Sequence, residues 1–116
     1  MNHPVIRFEI GCKDLEKTTE FYTNLFGWSP TSAGNASYIN TNSPQGIQGH
    51  ITALGHEPHN YVSIYIQVDN IEEHLKKVEQ AGGKKIVGPI KLPNGQSFAW
   101  ISDPESNFVG LLTKEL

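Results

Sequence analysis

The chain has a single cysteine, Cys12, in 116 residues. An internal disulfide is therefore excluded, and no cysteine-based zinc site can be built. Charged residues make up only 18%, and the formal net charge is −3. Lys76-Lys77 and Lys84-Lys85 are the only basic doublets. Broad attraction to nucleic acid or to an anionic membrane surface is not expected. No apolar run approaches ~18 residues, so no membrane-spanning helix is expected. Met1-Asn2-His3-Pro4 lacks a basic stretch followed by an apolar core, so no signal peptide is expected either. The lone thiol and the absence of targeting features point to the cytoplasm.

What is present is the balance of a folded domain, with 37% hydrophobic residues and 11 glycines. Val5–Ile10 alternates, with Phe8 and Ile10 on one face and Arg7 and Glu9 on the other. Asp14 is a candidate N-cap for a helix running to Phe26. Leu15, Thr18, Thr19, Tyr22, Leu25 and Phe26 lie near one face, and Gly27 stands in the C′ position. Weaker strand signals follow at Ser37–Thr41 and Ile47–Leu54. The second half repeats the order. In Tyr61–Val68, Val62, Ile64, Ile66 and Val68 share the helix-facing side, and Ser63, Tyr65 and Gln67 share the other. Asp69 or Asn70 caps a helix whose stripe is Ile71, Leu75, Val78 and Ala81. Lys85–Val87, Gln96–Ser102 and Asn107–Thr113 read as strands.

One constant shift along the chain carries Arg7 onto Ser63, Leu15 onto Ile71 and Gly27 onto Gly83. A slightly longer shift, allowing for a longer loop, carries Tyr38 onto Phe98 and His50 onto Gly110. The fold class is thus α+β, with the order βαβββ given twice in one domain. Module one spans about 4–55 and module two about 60–115. The faces turned away from the helices would line a cleft carrying Arg7, Glu9, Ser63 and Tyr65.

Strand-Asp14-Leu15-Glu16-Lys17, then Phe21-Tyr22 and Leu25-Phe26-Gly27-Trp28, resembles the opening of the vicinal oxygen chelate superfamily. That superfamily includes glyoxalase I, extradiol dioxygenases, fosfomycin-resistance proteins and bleomycin-resistance proteins. Val68-Asp69-Asn70-Ile71-Glu72, Gln80-Ala81-Gly82-Gly83 and Asp103-Pro104-Glu105-Ser106-Asn107 extend the resemblance over nearly the whole chain. It implies an open U-shaped barrel of two modules, commonly a homodimer. It also implies a divalent ion held by four inward residues in the metal-dependent members. Carried over one at a time, those positions fall on Arg7, Ser63, Gly110 and, within the looser loop alignment, at or near His50. Arginine has no lone pair to give, glycine has no side chain, and a neutral serine hydroxyl is a poor ligand. The expectation is no metal and no other cofactor.

The leading functional expectation is therefore metal-independent binding of a small molecule, of the sequestration or resistance kind. Arg7, Glu9, His50, Ser63 and Tyr65 would form the ligand site. Arg7 would either clamp an anionic group through its planar fork or pair internally with Glu9. His50 would act as a hydrogen-bonding or basic group, or simply face water. Tyr38, Tyr65, Phe98 and Trp100 are either pocket walls or part of the core or a dimer interface. The alternatives are a glyoxalase-like lyase or isomerase using Glu9 or His50 as base, and a protein-binding dimer with no ligand. His56-Glu57-Pro58-His59 reads as a solvated linker, and His3 and His74 as surface residues.

Overall fold

A computed structural model describes residues 2–114. Ten elements follow one another. They are β1 (Val5–Gly11), α1 (Leu15–Phe26), β2 (Ser29–Ala33), β3 (Ala36–Asn40), β4 (Gln48–Thr52), β5 (Tyr61–Val68), α2 (Ile71–Gln80), β6 (Lys84–Lys91), β7 (Ser97–Ser102) and β8 (Phe108–Thr113). The fold is α+β. The chain divides into two compact units within β5. One is Ile6–Ser63; the other runs from Ile64 onward and takes in the residues up to Val5.

The first unit carries the strand order β2-β3-β4-β1. β1 runs parallel to β4, and the other two pairings are antiparallel. Its core is Ile10, Cys12, Ile39 and Ile51, with Phe8, Leu15, Tyr22 and Trp28 packed against it. Tyr22 stacks on Trp28 with centroids 5.7 Å apart. Cys12 is buried, its Sγ lying 3.7 Å from the Thr52 carbonyl oxygen. A thiol so placed is structural and not reactive.

The second unit repeats the pattern as β5-β8-β7-β6, with β5 parallel to β8. Val68, Ile71, Leu75, Ala99 and Leu111 form its core. The repeat is close in detail. The helices start at Leu15 and Ile71, the pair that the shift superposes, and each N-cap oxygen accepts the N3 backbone N–H at 3.0 Å. The capping pairs are Asp14 with Lys17 and Asn70 with Glu73. Asn70, not Asp69, is therefore the second cap.

Four expectations fail. Ala81, the last residue of the expected α2 stripe, is the exposed C-cap, because the helix ends at Gln80. β2, Ser-Pro-Thr-Ser-Ala, carries no strand signal because it is a polar, exposed strand at the end of the strand order, where Pro30 is tolerated. Leu25 and Phe26 are exposed, and α1 buries no residue fully; Leu15, Thr18, Thr19 and Tyr22 form its half-buried side. Val62 is 76% exposed and Ile64 is also exposed, whereas Ile66 and Val68 meet the helix. The lengths explain this. Ten residues of α2 cover ~15 Å, while the eight of β5 extend ~26 Å, so the helix is shorter than the strand before it.

Candidate functional site

β-strand alternation puts Arg7 and Glu9 on the face of β1 opposite Phe8 and Ile10. The ladder then aligns Glu9 with His50 on β4 and His50 with Tyr38 on β3. Three strands thus present Glu9, His50 and Tyr38 in a row, with Arg7 next to Glu9 along the same strand face. Glu9 is only 2% exposed. A carboxylate that deep needs donors. His50 Nε2 donates to Glu9 Oε1 across 3.0 Å, and the Tyr61 hydroxyl donates to Glu9 Oε2. The ring of Tyr61, the first residue of β5, lies against Gly11. A Cβ on Gly11 would sit 2.1 Å from Tyr61 Cε2 and 2.6 Å from the His59 carbonyl oxygen.

Arg7 does not pair with Glu9. Among the described residues it has no ion pair; its guanidinium carbon lies 5.7 Å from the centre of the Tyr38 ring. That ring also meets His50 edge-on, with centroids 6.1 Å apart, and Tyr38 is half exposed. The result is a cation resting on an aromatic face, its guanidinium making no hydrogen bond among the described residues, beside a carboxylate that accepts from His50 and Tyr61. The chemistry on offer is recognition of an anion next to a ring.

Ser63 and Tyr65 are both buried. Tyr65 belongs to the second unit and is held there by its own neighbours. Trp100 Nε1 donates to the Tyr65 hydroxyl at 2.9 Å, and Trp100 packs on Phe108 at 5.2 Å. The ladder pairs Tyr65 with Gly110, the counterpart of Glu9 with His50 under the internal repeat. The Tyr65 ring covers Gly110, where a Cβ would fall 2.2 Å from the ring. Structure thus brings Arg7, Glu9 and His50 together in the first unit, with Tyr38 and Tyr61. It sets Tyr65 with Trp100 in the second. Tyr61 is the residue that sequence reasoning missed, although its parity with Ser63 and Tyr65 along β5 places it on the same strand face.

These residues do not fit the superfamily metal. At the ligand positions that the resemblance implies, Arg7 puts a permanent cation. Gly110 has no ligand atom, and the space for one is filled by the Tyr65 ring. His50 spends its Nε2 on Glu9. Among the described residues no three His, Cys, Asp or Glu side chains converge.

A model of the Glyoxalase/Bleomycin resistance protein/Dioxygenase superfamily matches residues 2–111. The chain belongs to this superfamily. Among its relatives is a glyoxylase-like domain-containing protein of Didymella fabae, 28% identical over 91% of this chain and 90% of that one. The anthracycline biosynthesis protein DnrV of Streptomyces peucetius is 26% identical over 84% of this chain, which spans 42% of DnrV. Among solved structures, the hypothetical protein BH1468 of Bacillus halodurans C-125 superposes with a TM-score of 0.72. It is 14% identical, over 100% of this chain and 97% of that one. At that identity the likeness is one of fold, and within this superfamily fold leaves the reaction open.

Proposed function

We propose that this superfamily member binds a small organic anion without a metal, its anionic group on Arg7 and its ring against Tyr38. The observation that carries the reading is Arg7 itself. It is the only arginine of the chain, it is half-buried, and the neighbouring carboxylate is committed to His50 and Tyr61. A guanidinium so placed keeps its planar fork for two oxygens of a carboxylate, phosphate or enolate. Sequestration of such a molecule asks only for a shaped, charged site. DnrV acts in the biosynthesis of anthracyclines by its name. That relation supports a ring-bearing ligand class. In the same proposal the chain works in the cytoplasm as a homodimer, which sedimentation velocity would test by mass.

A second reading uses Glu9 as a general base on a carbon acid. It is favoured by the burial of that carboxylate. It is opposed by the engagement of both oxygens, since His50 and Tyr61 each hold one lone pair of the carboxylate and a substrate proton would have to reach those that remain. One titration series separates these readings. Heteronuclear spectra of the EDTA-treated protein are recorded with 2-naphthoate, 1-naphthyl phosphate and the uncharged 2-naphthol. The proposal expects shifts at Arg7 Nε and on β3 with both anions and weak or no shifts with naphthol. Equal response to all three would remove the anion clamp.

A further inference from the structure

His3 and His74 lie outside the site above, within the second unit, and they are not isolated surface residues. Their rings stand 4.7 Å apart, edge to face at 86°. Each is anchored through the same nitrogen. His3 Nδ1 is 3.1 Å from the Gln67 carbonyl oxygen on β5, and His74 Nδ1 is 3.1 Å from the Asn70 carbonyl oxygen at the start of α2. A carbonyl oxygen only accepts, so Nδ1 carries the proton in both rings. In the neutral imidazole the lone pair is then on Nε2. Neither Nε2 has a hydrogen-bond partner among the described residues, and neither is among the buried unsatisfied atoms, so both reach solvent.

This is the preparation that a metal-binding histidine receives from its surroundings. One nitrogen is tied to a main-chain carbonyl, which fixes tautomer and ring direction and leaves the other nitrogen as donor. Here it occurs twice, on adjacent rings. The segments carrying them are also set. The Gln67 N–H donates to the Pro4 carbonyl oxygen at 2.9 Å, so the residue after His3 is laid along β5, while His74 sits inside a capped helix. Contrast His50, whose Nε2 is consumed by Glu9 beside a fixed cation.

We propose that His3 and His74 form a two-imidazole site for a divalent transition ion of the zinc, copper or nickel class, with water completing its coordination. Imidazole nitrogen suits these ions, and two protein donors leave open positions. The bound ion would clasp the chain's opening segment to α2. The site is independent of the Arg7 face, and it takes its metal where the superfamily's ligand positions cannot.

The test is calorimetric titration of Zn²⁺ into EDTA-treated, tag-free full-length protein, with imidazole nitrogen spectra recorded in parallel. One ion per chain is expected, moving the Nε2 resonances of both His3 and His74. His3→Gln and His74→Gln should each weaken binding at least tenfold. His56→Gln, His59→Gln and Arg7→Ala should leave it unchanged. Zinc should also raise the melting temperature of the parent and not of either variant, as binding to the folded state alone requires. The inference is overturned if both glutamine variants, shown folded by circular dichroism, keep parental affinity. It is equally overturned if zinc moves the resonances of other histidines only, or does not bind at millimolar concentration.

Discussion

Removal of one oxygen atom probes the buried end of the site. Tyr61→Phe deletes the hydroxyl that donates to Glu9 Oε2 and leaves the ring in place over Gly11, so no cavity opens. The change removes a hydrogen-bond donor from a carboxylate that is 2% exposed. Such bonds are worth ~1.5–3 kcal/mol, with the desolvation cost of the orphaned acceptor included in the loss. For a chain of this size each kcal/mol corresponds to roughly 3–6 °C in melting temperature, so a fall of about 5–18 °C is expected. Tyr38→Phe is the control. Its hydroxyl belongs to a half-exposed ring with no hydrogen bond among the described residues, and the change should stay within ~0.5 kcal/mol. Urea unfolding followed by the fluorescence of Trp28 and Trp100 measures both, and the denaturant slope should not change. A Tyr61→Phe effect below ~0.5 kcal/mol would show that Glu9 is not held by this bond, and the description of the site as a satisfied carboxylate beside an uncommitted cation would fail.

Other expectations are equally direct. Gly110→Ala forces a methyl group into the Tyr65 ring, whose atoms lie 2.2 Å from that point, and should cost about 1–3 kcal/mol in urea unfolding. Pairing it with Tyr65→Ala should remove much of that increment. Asn70→Ala deletes the oxygen that accepts the Glu73 N–H and should destabilise α2 by ~1 kcal/mol, as Asp14→Ala should for α1. The Asp103 carboxyl is held below its ordinary 3.8, first by the Asn107 side chain, then by the backbone N–H groups of Asn107 and Glu105. A lowered folded-state value adds stability above the ordinary carboxylate range, and that stability is lost as pH falls through the lowered value. The stability difference between the parent and Asp103→Asn should therefore shrink on acidification from about pH 5 downward.

Much of this architecture is legible in the residues. The caps Asp14 and Asn70, the stripe of α2 and the internal repeat lead directly to the matched pairings of Glu9 with His50 and of Tyr65 with Gly110. Period-two alternation alone puts Arg7 and Glu9 on one face. What failed did so for identifiable reasons. β2 has no apolar residue to betray it except Ala33. Apolar spacing on α1 does not say how much of the helix a four-stranded sheet covers, and Leu25 and Phe26 are left exposed. The same reasoning misled for Val62 and Ile64, whose strand outruns its helix. Within the site, sequence left open whether Arg7 pairs with Glu9. The answer depends on Tyr61, 52 residues away in the chain, and no local pattern reports a contact of that range. Nor does a glycine at a ligand position reveal that a tyrosine ring has taken the space.

The most direct test of the central claim is the affinity of 2-naphthoate for the parent and for Arg7→Ala, both stripped with EDTA and measured by titration calorimetry. The account predicts saturable binding by the metal-free parent. It also predicts at least a tenfold loss in the variant, with circular dichroism unchanged. Binding that appears only after a divalent ion is restored, or that survives the loss of Arg7 undiminished, would contradict it.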